Sequence, residues 1–210
     1  MQLLLKEIGK LKNIEIKKTI DSRIKEFERV GSSGPDEIFK ELCFCFMTAN
    51  FSANRGIKIQ NEIGDGFLTL SETGLSEKLK ELGHRFPNAR AKYIVESRDK
   101  KDELINLLKE IDDDLILRRW IVKNIKGIGM KEASHFLRNI GYKNLAIIDF
   151  HIIDLLAKHG LIEPPKNKRL TPKKYLEIEN VLRKISKEAN LHLGELDLYL
   201  WYLETGKVLK

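Results

Sequence analysis

Ile125-Lys126-Gly127-Ile128-Gly129-Met130-Lys131-Glu132-Ala133 is the stretch on which the reading of this chain turns. Two glycines around one apolar residue let the backbone reverse tightly, with Ile128 directed into a core. Amphipathic segments flank the turn, Leu117 to Asn124 before it and Glu132 to Ile140 after it, which predicts a helical hairpin over about 115–141. Ala133 is small enough for the two helices to approach closely. Such a turn leaves N–H groups free at the start of the second helix, where the dipole is positive. The backbone around Gly127 and Gly129 is therefore suited to hold a phosphate oxygen without reading sequence. A plain helical hairpin shares this local pattern, so the signal gains weight from what surrounds it.

Outward from the hairpin, apolar residues recur at spacings of three and four, as in Phe39, Leu42 and Phe46, or Leu193, Leu196, Leu200 and Leu203. Alternating stretches are nearly absent, so the fold class predicted is all-α. Breakers at Gly31–Pro35, Gly64–Gly66, Gly83, Phe86–Asn88, Gly141 and Glu163–Pro165 leave helices of ordinary globular length. Ser71 before Glu72, and Thr171-Pro172 before Lys173 to Lys187, read as helix starts. The Gly31–Pro35 linker and the extended run near Ile147 to Phe150 are the candidate boundaries. They predict a central bundle over 36–145 that ends in the hairpin, and a second lobe built from 1–35 plus 146–210.

The chain has 210 residues, 42% of them apolar, enough for one compact unit or two small lobes with a real core. A net charge of +7, with 33% charged residues, favours polyanionic partners, although Lys/Glu-rich surfaces also carry such charge as simple solvation. No apolar run approaches the roughly 20 residues of a membrane span, and Met1 to Lys10 lacks a signal-peptide pattern. The expectation is a cytoplasmic protein, nucleoid-associated in a prokaryote, with no membrane partner. Cys43 and Cys45 lie between and beside Phe44 and Phe46, too close together for an ordinary disulfide, and read as buried thiols. Two cysteines cannot furnish the four thiolates of a typical iron-sulfur cluster, and no metal or cofactor is expected.

About one helix after Lys131 comes Ala146-Ile147-Ile148-Asp149-Phe150-His151. This apolar, extended run delivers a single carboxylate to a helix start. Capping that helix is the simple reading, and it is compatible with a chemical one. Hairpin, lysine, helix, then apolar-apolar-Asp-apolar-His resembles the helix-hairpin-helix glycosylase superfamily. Within it, a short chain without cluster cysteines is most similar to the type-2 8-oxoguanine DNA glycosylase/lyase family of archaea and some bacteria. The resemblance extends to Cys43 through Asn50, Arg85 through Ile94, and Leu196 through Tyr202. It implies two helical lobes flanking a DNA-binding cleft, with the hairpin at their junction, acting as a monomer on double-stranded DNA that contains oxidised guanine.

The chemistry implied is base excision followed by strand cleavage. Amine attack on the sugar C1′ leaves a Schiff base that drives β-elimination, and Lys131 supplies the amine, which must be neutral to attack. Asp149 stabilises oxocarbenium character and helps take the proton from the amine. Since the base must leave the duplex, a wedge and a pocket are also needed. The resemblance assigns Asn50 to the gap beside the orphaned base, Arg55 to the same partner base, and His151 to a phosphate. Phe86 and Trp201 are flat enough to form pocket walls, and His135 follows Lys131 by one helical turn. The resemblance to the type-2 family further implies that Lys210 with its α-carboxylate closes the pocket. Each has a plain alternative: a turn asparagine, a packing histidine, a core tryptophan or a solvated lysine. Two other functions stay open, a glycosylase for a different damaged base and a non-catalytic helix-hairpin-helix DNA-binding module. The second would need neither Lys131 nor Asp149.

Overall fold

The computed structural model describes residues 1–165 and 170–210, and among these it contains thirteen α-helices and no strand. The chain opens with α1 (Gln2–Leu11) and α2 (Ile16–Gly31). A bundle follows, comprising α3 (Pro35–Thr48), α4 (Ala53–Ile63), α5 (Gly66–Thr69), α6 (Glu72–Glu81), α7 (Pro87–Arg98), α8 (Lys101–Glu110), α9 (Asp114–Asn124) and α10 (Met130–Asn139). The last three are α11 (Phe150–Lys158), α12 (Pro172–Ala189) and α13 (Leu193–Thr205). No described helix is long and apolar enough to cross a membrane.

Local chemistry explains the helix starts. Ser71 accepts a hydrogen bond from the Gly74 amide, Asp113 from those of Leu115 and Ile116, and Thr171 from that of Lys174. Pro35, Pro87 and Pro172 occupy first-turn positions, where a missing N–H is harmless.

The buried side chains form two cores. The first runs from Ile38 to Leu145 and centres on α3, where Leu42 through Met47 are all fully enclosed. The second combines Leu4, Ile8, Leu11, Ile20 and Phe27 with apolar residues from Ala146 to Leu200. Both ends of the chain thus build the second core, while the middle builds the first. Cys43 and Cys45 are free and fully buried, and burial pushes both thiols well above their usual range. At one seam between the cores a Cβ on Gly31 would lie 2.0 Å from the Ile140 carbonyl oxygen, so the ends of α2 and α10 meet backbone to backbone.

At a second seam, charge rather than apolar contact joins the cores. Arg118 on α9 and Glu179 on α12 are each 2% exposed, and the guanidinium forks onto the carboxylate through both terminal nitrogens. Arg118 Nη1 also donates to Ser134 Oγ on α10 at 3.1 Å, and Arg183 Nη2 donates to Glu179 Oε1 at 2.8 Å. Removing one member would leave the other charge buried and uncompensated. Glu179→Ala should therefore lower unfolding free energy by about 3–5 kcal/mol in chemical denaturation. A loss below about 1 kcal/mol, the range of an exposed pair, would show that this pair does not secure the seam.

Candidate active site

The hairpin between α9 and α10 needs glycine at one of its two positions. Gly127 has φ +89°, and a Cβ there would sit 2.4 Å from the Tyr93 ring. Gly129 is extended, with φ −101° and ψ −173°, a conformation open to any residue. Ile128 plugs the first core and Ala133 is fully buried against it. Gly129 caps α10 without a side chain, so the amides of that first turn stay free of side-chain capping, unlike those of α6, α9, α11 and α12.

Lys131 stands in this first turn with its side chain 22% exposed, 4.0 Å from Glu132 Oε1. Asp149 arrives from the second core. Ala146, Ile147 and Ile148 run buried and non-helical, and Asp149 then caps α11, its Oδ1 accepting from the Ile152 amide at 3.0 Å. The second carboxylate oxygen lies outside that bond.

A buried carboxyl on α13 responds to both groups. Burial pushes Asp197 up to about 6, while Arg138 pulls it down, Asp149 pushes it up and Lys131 pulls it down. Arg138 Nη1 lies 3.6 Å from Asp197 Oδ2. Both the Lys131 ammonium and the Asp149 carboxylate thus act electrostatically on Asp197, in opposite directions.

The remaining residues singled out from sequence fall into two groups. Trp201 packs edge-on against the exposed His151 with ring centroids 4.8 Å apart, and its indole N–H is buried without a hydrogen-bond partner. His135 is buried against Phe44 at 5.7 Å; neither ring nitrogen has a partner in good hydrogen-bond geometry, although the Lys210 backbone reaches the ring closely enough to favour its protonated form slightly. Burial holds its imidazole well below the usual range, and Arg138, Lys131 and Lys210 press it further down, so the ring is neutral. Lys210 is anchored in the first core. Its Nζ donates to Glu41 Oε2 at 2.7 Å and lies 4.3 Å from the centre of the Phe44 ring. Glu41 also accepts from Asn139 Nδ2 at 2.6 Å and from Gln60 Nε2 at 3.2 Å.

The other group surrounds the corner between α3 and α4. Asn50 is exposed and left-handed at φ +57°, which asparagine tolerates. The Arg55 guanidinium lies 5.1 Å from the centre of the Phe51 ring, and its Nη2 donates to the Gly83 carbonyl at 3.1 Å. Phe86, an exposed aromatic, has the guanidiniums of Arg85 and Arg90 near its ring, and Arg90 Nη2 donates to the Ala49 carbonyl beside Asn50. Contacts thus group Phe86 with Asn50 and Arg55, apart from His135 and Trp201.

Glu41 and Asp197 were not singled out from sequence. Each is an acid set in an apolar helical run, Phe39-Lys40-Glu41-Leu42 and Leu196-Asp197-Leu198, a placement that is unfavourable without a buried partner. That incongruity was the available signal.

Comparison with known proteins gives a consistent result. A family model described as 8-oxoguanine DNA glycosylase matches residues 20–191. The chain is 56% identical over 209 residues to the 8-oxoguanine DNA glycosylase/AP lyase of Methanocaldococcus jannaschii, covering 99% of this chain and 100% of the relative. It is 53% identical over 207 residues to the protein of the same description from Korarchaeum cryptofilum, covering 99% and 98%. Among solved structures, the M. jannaschii 8-oxoguanine glycosylase/lyase in complex with a 15mer DNA containing 8-oxoguanine superposes with a TM-score of 0.95 at 56% identity, over 99% of this chain and 100% of that one. The 8-oxoguanine DNA glycosylase of Thermotoga maritima gives 0.92 at 47% identity, over 100% and 99%.

The raised Asp197 value has a measurable consequence. Because its folded value of about 6 lies above the ordinary 3.8, the stabilisation from this group is complete below the ordinary value and is lost as pH rises toward 6. One proton changes stability by about 1.4 kcal/mol per pH unit across that window. Asp197→Asn should remove this component, so the wild-type minus variant stability difference should fall between pH 4 and 6 and flatten above. A pH-independent difference would place Asp197 at an ordinary carboxylate value.

Proposed function

Given that this chain belongs to the 8-oxoguanine DNA glycosylase family and works as an 8-oxoguanine DNA glycosylase/AP lyase, we propose that Lys131 supplies the attacking amine and Asp149 its partner carboxylate. The observation that carries this assignment is that Lys131 stands in the uncapped first turn of α10 behind the Gly127 turn while Asp149 closes a buried non-helical run as the cap of α11, in a chain 56% identical over its length to an 8-oxoguanine DNA glycosylase/AP lyase. Lys131 Nζ attacks C1′ of the damaged nucleotide as the bond to the base breaks, with Asp149 opposite the developing positive charge on the sugar. The attached amine loses a proton, its lone pair expels O4′ from C1′ and O4′ takes up a proton, so the opened sugar is left as a Schiff base; loss of a C2′ proton then expels the 3′ phosphate and cuts the strand on the 3′ side. These side chains suffice without a cofactor.

The uncapped first turn of α10, with Gly127 and Gly129 before it, would grip a phosphate, and His151 a second one. Asn50 and Arg55, with Phe86 beside them, would occupy the space left in the duplex and meet the orphaned partner base. The extruded base would lie against Trp201 and present its edge to His135 and to the terminus at Lys210. A buried, neutral imidazole with no side-chain partner offers one donor and one acceptor, which suits a purine edge.

Borohydride trapping on a duplex carrying 8-oxoguanine tests the core of this reading. Wild type should give a covalent adduct and Lys131→Gln none, while the variant still binds DNA. Asp149→Asn should slow single-turnover excision by at least about 100-fold. An adduct on Lys131→Gln would mean that another amine attacks.

Removing residues 207–210 separates base recognition from lysine chemistry. Excision of 8-oxoguanine should fall by about tenfold or more, the scale of one base contact, while cleavage at a pre-formed abasic site persists. Equal losses in the two rates, at matched folded fraction, would sink the pocket-closing role of Lys210.

A further inference from the structure

Tyr175 on α12 touches the chain immediately before Asp149, and no step of the reaction above uses it. Its hydroxyl donates to the Ala146 carbonyl at 2.7 Å and accepts from the Ile148 amide at 3.3 Å, bridging the residues on either side of Ile147. Ser134 Oγ on α10 lies 3.4 Å from the same oxygen and itself accepts from Arg118 Nη1 at 3.1 Å. Tyrosine has one hydroxyl proton, and Ala146 takes it, so Ser134 must be the donor toward Tyr175. A directed chain therefore runs from Arg118 through Ser134 and Tyr175 to the Ala146 carbonyl. It passes through α10 only three residues after Lys131 and ends in the run that carries Asp149.

Residues 146–149 belong to no helix, so their buried amides and carbonyls lack a regular ladder. Apolar burial holds Ala146, Ile147 and Ile148 without fixing their polar groups, and Asp149 is tied on its far side, through its side chain to the Ile152 amide and through its carbonyl to the Ile153 amide. Burial pushes the Tyr175 phenol far above its usual range, which keeps it a donor throughout the neutral range.

We propose that Tyr175 is a positioning residue for base excision, its hydroxyl fixing where Asp149 stands relative to Lys131. This rests on the roles given above to those two residues. The geometry has one end of the chain in α9 and α10, which set the lysine, and the other in the segment that sets the carboxylate. Shortening or loosening it moves one reacting group against the other.

Tyr175→Phe keeps the ring and removes the clamp. Single-turnover excision at saturating enzyme and matched folded fraction should fall by about 10- to 100-fold, as for a displacement of the order of 1 Å, with DNA affinity unchanged. In an Asp149→Asn background the same substitution should cost nothing further, because the group it positions is gone. A purely structural role predicts a lower Tm with an unaltered rate per folded molecule, and either that result or additive losses would overturn the proposal. If Tyr175→Phe does not fold, Ser134→Ala removes the tie to α10 and leaves the bond to Ala146. A rate loss seen only where Asp149 is present supports the clamp, and an unchanged rate overturns it. A slow Asp149→Asn beside a full-rate Tyr175→Phe sinks the clamp alone. A full-rate Asp149→Asn sinks the carboxylate reading and the clamp with it.

Discussion

The buried pairing of Arg118 with Glu179 is the constraint around which the rest of the molecule is arranged. Two charges removed from water are tolerable only when they are paired in good geometry, and here both terminal nitrogens of Arg118 and both oxygens of Glu179 are met by groups on α9, α10 and α12, with Arg118 Nε alone left without a partner. An apolar contact at the same seam would permit sliding. A forked guanidinium flanked by Ser134 and Arg183 favours one register. The helix that carries Lys131 packs in the first core and the run that ends at Asp149 packs in the second, so that register sets the position of one segment against the other.

Interleaving of the chain ends gives the seam its second property. α1 and α2 precede the first core in sequence yet belong to the second, and α2 returns to meet α10 at Gly31 and Ile140. Lys210 makes the reverse journey, leaving α13 to be held by Glu41 on α3 beneath the Phe44 ring. Each core thus carries a segment of the other. The site between them is closed by chain rather than by surface contact alone, which suits a reaction that must hold a nucleotide out of its duplex while excluding water.

The hairpin and the aspartate were legible in sequence because local rules govern both. A glycine at Gly127 is demanded by a positive φ and by the Tyr93 ring, and an apolar run ending in Asp149 before a helix is a capping pattern. The helical class was legible for the same reason, since spacing of three and four appears within each segment. Gly129 shows where this stops. Its backbone is one that any residue adopts, so pairing it with Gly127 as a turn requirement overstated the local demand. Phe86, flat enough by type for a pocket wall, stands exposed at the start of α7 with the guanidiniums of Arg85 and Arg90 near its ring, an environment that its residue type alone did not reveal.

By itself, the sequence determined the helical class, the helix starts at Ser71 and Thr171, the hairpin, and the presence of residue types able to attack a sugar and stabilise its cation. Only the tertiary structure decided which of those residues meet. Arg138 came to face Asp197, Glu41 became the anchor of Lys210, and Tyr175 came to bridge Ala146 and Ile148, each across separations of many residues. The physical reason is that a helix is specified by hydrogen bonds four residues apart and by the periodicity of its apolar face. A buried polar contact is specified by the absence of water and by whatever partner the packing of distant segments brings within about 3 Å.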